Sequence, residues 1–289
     1  MSRLIETAAP VVGFCLHRDK CFLLCGNDLI KADARTGSIE QQKKIFAKDG
    51  KSRLIRTNGT VVAVSDFCVL SVFDAETLEK VHEIKLGDDL TSDICGLSAD
   101  ESSLYACIRN GGLVKLALSD FSQSSTVIGN ASSWSLAVWE DKLYAGTVDG
   151  KLLLLDKNTL KTEATLSISR QNVKSLYRSG GTLYAAGQDK KLYVIDLPSF
   201  SLVRKTSGIH PMMFDVVGEK DGVLYTVSHP ACEICGWDKN GAKVCSLPYR
   251  LRLSGSSCIF EDAILISSRN LNGVDRIELS DGCRSPGRL

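Results

Sequence analysis

The chain has 289 residues, 44% of them hydrophobic and 24% charged, with a formal net charge of +1, a globular composition that excludes a disordered chain. No acidic or basic excess and no block of like charges argues for a nucleic-acid or membrane partner. No uncharged apolar stretch reaches the roughly 18 residues of a transmembrane helix, and MSRLIETAAP lacks the apolar region of a secretory signal.

In chain order, the first segments that read as strands are RLIETA (3–8), PVVGFC (10–15) and CFLLCG (21–26). The last of these then recurs as TVVAVS (60–65), SLYACI (103–108), KLYAGT (142–147), TLYAAG (182–187), VLYTVS (223–228) and AILISS (263–268). The tyrosine position of this motif falls at Leu23, Val62, Tyr105, Tyr144, Tyr184, Tyr225 and Leu265, at intervals of 39, 43, 39, 40, 41 and 40 residues. An even period over the whole chain is the mark of a repeat architecture.

Each copy has one internal grammar. An apolar segment such as SLAVWED (135–141) precedes the motif, and a turn of Asp, Gly and Asn follows it. Next come an alternating strand such as KLLLLD and a more polar segment such as TEATLSI (162–168). Four short strands in forty residues, with no stretch of helical period, predict an all-β fold: a seven-bladed β-propeller with four-stranded blades. The seventh copy reaches GVDRIELSD (273–281) and only GCRSPGRL follows, so RLIETA is expected to supply the last strand of the last blade and close the ring. Residues 1–281 are thus expected to form one domain and 282–289 a flexible tail.

In period and strand order the chain resembles a divergent WD40-repeat propeller over essentially its whole length. Of the family's marker residues, the Trp-Asp dipeptide occurs once, as Trp237-Asp238, and the Gly-His pair occurs in no repeat. The family's internal histidine–aspartate hydrogen-bond network is therefore not expected here. Kelch blades and tryptophan-docked blades fit less well, because double glycines and tryptophans are too few.

An acid stands in register at Asp33, Asp74, Asp156, Asp196, Asp238 and Glu278, with Ala117 and then Asp120 in the third copy. The sequences DARTG, DAETL, DKNTL, DLPSF and DKNG are turns whose first carboxylate accepts backbone N–H groups. A catalytic acid does not recur once per blade, so these are read as structural. The leucine and tyrosine stripe of the LYA strands is read as core, with tyrosine hydroxyls reaching polar partners at an edge. The eleven cysteines lie mostly in apolar strands and are read as reduced core residues of a cytoplasmic protein. Cys232-Glu233-Ile234-Cys235 lacks a second ligand pair, so no metal is expected.

No nucleotide-binding, nucleophile-elbow or zinc-protease motif occurs. Function is therefore expected in the loops entering the innermost strands, which differ while the strands they join are alike. Trp134, Arg170, His210, Met212, Arg250 and Arg252 are the residue types that anchor interfaces. The expectation is a non-enzymatic scaffold without catalytic residues or cofactors, docking a protein or peptide around the channel and monomeric outside its complex. The alternative is a propeller enzyme of the metal-dependent lactonase or hydrolase type, with Asp93, Asn172 and Asp215 in the channel.

Overall fold

Side chains that alternate between two faces need partners on both, and here the partners are neighbouring sheets. The computed structural model describes residues 1–47, 54–87, 93–109, 112–128, 133–249, 255–268 and 270–279. Among them there are 28 strands and no helix, in seven four-stranded antiparallel sheets.

The chain opens with β1 (Ser2–Glu6). Blade 1 follows as β2 (Val11–His17), β3 (Lys20–Cys25), β4 (Asp28–Asp33) and β5 (Ile39–Lys44). Blade 2 is β6 (Ile55–Thr57), β7 (Val61–Asp66), β8 (Val69–Asp74) and β9 (Lys80–Lys85). Blade 3 contains β10 (Ile94–Ala99), β11 (Ser103–Ile108), β12 (Gly112–Ala117) and β13 (Gln123–Val127). In blade 4 are β14 (Ser133–Trp139), β15 (Lys142–Thr147), β16 (Lys151–Asp156) and β17 (Thr162–Ser167). Blade 5 has β18 (Val173–Ser179), β19 (Thr182–Gly187), β20 (Leu192–Asp196) and β21 (Ser201–Thr206). Blade 6 has β22 (Asp215–Lys220), β23 (Val223–Ser228), β24 (Glu233–Trp237) and β25 (Lys243–Pro248). Blade 7 contains β26 (Ser257–Phe260), β27 (Ala263–Ile266) and β28 (Gly273–Glu278), and its fourth strand is β1, paired antiparallel with β28.

The core is divided into seven parts, each held between two adjacent blades. Tyr105, Cys107 and Leu113 of blade 3 pack against Leu143, Ala145 and Leu155 of blade 4. At the seam between the first and last blades, Ile5, Leu265 and Val274 pack against Val11, Phe14 and Leu23. The motif strands are buried on both faces because each is covered by a blade on either side; Tyr105 and Tyr144 are no more than 1% exposed. The Tyr105 and Tyr193 hydroxyls donate to Asp100 and Asp189 at 3.1 and 2.5 Å, which satisfies the one polar atom each ring carries inward. Hydrogen bonds between blades link the inner strands: Phe14 N donates to Ser256 Oγ at 3.1 Å, and Ser135 Oγ donates to the Val173 carbonyl at 3.3 Å.

The acids in register cap turns. Asp33 Oδ1 accepts the amides of Arg35 and Thr36 at 2.9 and 2.8 Å, and Asp74 and Asp156 repeat the pattern. Asp196 accepts the Ser199 amide, Asp238 those of Asn240 and Ala242, and Asp120 that of Ser122. These bonds hold the carboxyls of Asp33, Asp74, Asp156 and Asp196 below their ordinary values. Glu278 departs, pairing instead with Arg276 at 2.6 Å. Four residues after the acid the backbone turns left-handed, at Gly37, Leu78, Leu160 and Phe200. Leucine is disfavoured there, but Leu78 and Leu160 are 1% exposed and held by burial between blades. Asp156→Ala should therefore shift the urea midpoint slightly with an unchanged slope, and leave partner binding intact; loss of binding by a folded variant would refute the structural role.

Among the described residues nine cysteines carry no disulfide, in agreement with the reduced reading, whereas Cys245 is disulfide-bonded and departs from it.

Candidate functional site

Because the strands of a blade alternate in direction, the segment entering each inner strand and the turn between the second and third strands lie at one end of the ring. The inner strands enclose a channel whose cavity measures about 620 Å³. Four of them carry a β-bulge at the same place, between Val11 and Gly13, Ile94 and Gly96, Ser133 and Ser135, and Val173 and Ser175, and blade 6 carries one two positions further along, between Val216 and Gly218. A bulge inserts an unpaired residue and re-aims its side chain. Cys95 and Lys174 are two such residues, and both line the channel. Lys174 Nζ lies 3.0 Å from Asp215 Oδ2 on the next blade, and Arg56 lines the same cavity.

His210 is 3% exposed, so it is not the rim anchor expected from its loop position. Its Nε2 lies 2.9 Å from Thr226 Oγ1, its Nδ1 3.2 Å from Glu233 Oε2, and Trp237 Nε1 donates to the same threonine oxygen at 2.8 Å. An indole N–H can only donate. The ionised Glu233 carboxylate can only accept, so His210 Nδ1 carries the proton, and Nε2 of the neutral ring accepts from Thr226 Oγ1, whose oxygen accepts in turn from Trp237. This corrects a second expectation, since blade 6 does contain an internal histidine–carboxylate network of the WD40 kind. Its glycine and histidine are Gly208 and His210, with Ile209 between them, and glutamate replaces aspartate.

His210, Glu233 and Cys235 bring one nitrogen, one oxygen and one sulfur within 4.8 Å of one another, a donor set of the kind that holds zinc. Every polar partner is already taken. Glu233 Oε1 accepts from Lys243 Nζ at 2.6 Å and Ser246 Oγ at 2.8 Å. Burial raises the Glu233 carboxyl, but these hydrogen bonds outweigh it and bring it down to about 2. The Lys243 ammonium supplies the charge that a cation would bring, so the cluster is read as structural.

Arg170 and Met212 are exposed on the face predicted for them, Met212 to 44%. Trp134 falls at the β14 bulge. Arg250 and Arg252 lie outside the described residues. Of the acids weighed for an enzyme, Asp93 is bound by Arg109 at 2.5 and 3.1 Å and Asp215 by Lys174. The carbonyl oxygen of Asn172 is buried without a hydrogen-bond partner. The channel cations Arg56 and Lys174 were not picked out by sequence, because their place depends on strand register and not on a motif.

No family model matches the sequence, and no curated protein is similar to it at a significant level. Solved structures are similar in fold. The β-propeller domain of Cps50 (Swd1) from Myceliophteria thermophila superposes with a TM-score of 0.78 at 12% identity, covering 95% of this chain and 97% of that one. The chain has the fold of a WD40 propeller. U3-55K gives this propeller the same TM-score and identity over 96% of this chain and 98% of that one. The computationally designed Ika8 protein gives 0.72 at 10% identity, over 96% and 100%.

Proposed function

We propose that this propeller is a non-enzymatic docking scaffold that binds a protein or peptide on the face surrounding the channel mouth. The observation that carries the reading is the contrast between a backbone plan repeated in seven blades and the unlike residues it presents at one end. Its WD40 structural neighbours support an interaction fold, which fold likeness alone does not extend to a partner. The enzyme alternative is not favoured, because Asp93 and Asp215 are each neutralised by a cation.

Arg250 and Arg252, in the segment joining β25 to β26, remain the anchors proposed from sequence, and Arg170 and Met212 are exposed ahead of β18 and β22. Reversing both to glutamate should weaken association with a partner captured from the native cell by more than about 2 kcal/mol if they sit at the contact centre. The matched control is Lys161→Glu with Lys239→Glu, exposed in turns at the opposite end. Lys157 is unsuitable, since it is tied to Asp100 at 3.1 Å across blades. Binding abolished by the control and untouched by the arginine reversal would move the partner to the other face.

A further inference from the structure

Strand register places one residue of each inner strand at the same level of the channel. Leu97, Leu136 and Leu176 stand opposite Ala106, Ala145 and Ala185 of their blades. The equivalent residue in blade 2 is Ile55, opposite Val64, and Arg56 follows it in β6, opposite Ala63. In blade 1 the level is held by Phe14, opposite Leu23, and in blade 7 by Ser257, opposite Ile266. The wall at this level is thus apolar from blade 1 to blade 5, and the charge of Arg56 lies one residue further along the blade 2 strand.

Arg56 is exposed to the cavity, and its side chain makes one hydrogen bond, from a terminal guanidinium nitrogen to the Ile55 carbonyl at 2.9 Å. Among the described residues it has no ion-pair partner. Lys174, the other cation of the described wall, is neutralised by Asp215, which is the only carboxylate lining the cavity among the described residues. A guanidinium offers five N–H donors in a fork that matches a carboxylate. Set in a narrow channel, such a pair is screened by less water than at an open surface.

We propose that Arg56 is the recognition residue of the channel, taking the carboxylate of an aspartate or glutamate side chain presented by the docked partner, with an apolar neighbour of that residue packing on the leucine level. The proposal rests on the docking reading above and deepens it by naming the chemistry of the partner. A peptide is favoured over a free anion because Leu97, Leu136 and Leu176 add nothing to the binding of an inorganic ion, whereas an apolar residue beside the acid loses water against them.

The test is selection of displayed random peptides against the immobilised full chain, run in parallel on the Arg56→Leu variant. Arg56 is exposed to the cavity and not part of a blade-to-blade core, so the variant should fold, and its melting curve verifies that. Peptides selected by the wild-type chain should share an Asp or Glu next to an apolar residue. A synthetic peptide of that sequence should bind Arg56→Leu at least roughly 30-fold more weakly, as when one partner of a desolvated charge pair is removed. Replacing its acid by the amide should cost a similar factor on the wild-type chain and little further on the variant. Selected peptides without a fixed acid, or equal binding to the variant, would overturn the Arg56 assignment and leave the scaffold reading standing. Displacement of the peptide by inorganic phosphate at comparable concentration would make Arg56 a free-anion site and overturn the proposal as well. If the folded wild-type chain selects no peptide, the assignment and the peptide-docking reading fall together.

Discussion

Deleting residues 1–8 should lower the melting temperature by roughly 10 °C, the largest loss expected from so few residues. The deletion removes Ile5, which is 0% exposed, and burial of such a side chain contributes roughly 2–3 kcal/mol. It also takes Arg3 from Asp275, which it meets at 2.7 Å; the Asp275 side chain is only 7% exposed. Loss of a hydrogen bond to a charged group adds about 1–3 kcal/mol. What remains of blade 7 then presents the unpaired edge of β28 to solvent. A second variant probes the seam without deletion. Gly273 has φ 141°, and a Cβ there would stand 2.0 Å from the Ile5 carbonyl oxygen, so Gly273→Ala should destabilise in the same direction. Melting temperatures equal to wild type for both variants would show that this seam does not hold the ring.

Thr226→Val should cost roughly 2–5 kcal/mol, because one hydroxyl serves two buried groups. The substitution leaves Trp237 Nε1 and His210 Nε2 without a partner, and each orphaned buried group costs about 1–3 kcal/mol. Thr226→Ser, which keeps the oxygen, should recover most of the loss. Urea denaturation of both variants checks this, and a valine variant as stable as wild type would refute the relay. The same site makes stability depend on pH. Burial lowers the proton affinity of His210, against the pull of Glu233, and burial lowers that of His229. The unfolded chain therefore binds more protons below the ordinary value of 6.5, and stability present above that pH is lost as pH falls beneath it. The slope is at most about 1.4 kcal/mol per pH unit for each histidine. His210→Gln should flatten it.

The blade count and the capped turns were legible because each rests on local spacing. A forty-residue period and an acid before a left-handed turn both survive in one dimension. The blade 6 network was not legible because its glycine and histidine, Gly208 and His210, are not adjacent. Bringing His210, Thr226, Glu233 and Trp237 together requires the sheet to fold and the entering loop to cover it. The bulges were invisible for a different reason. One inserted residue leaves ordinary alternation on either side of it, so Lys174 and Cys95 read as ordinary members of their strands. Arg56 shows the same limit, since only the folded ring brings it to the channel beside Leu97, Leu136 and Leu176. The reading of His210 as a surface anchor failed because position in a connecting segment does not determine exposure.

The pairing of β1 with β28 also sets a timetable for synthesis. Arg3 leaves the ribosome 272 residues ahead of Asp275, an interval of roughly 15–50 s at ordinary elongation rates. Throughout that time β1 has no strand to join, and the blade 1 side of the seam, with Val11, Phe14 and Leu23, has no blade 7 to cover it. The nascent chain thus carries an adhesive strand and an open apolar face until translation of the last blade. Folding in the cell therefore favours a chaperone that shields this end, and a permuted gene in which β1 follows β28 should shorten the exposure without changing the finished ring.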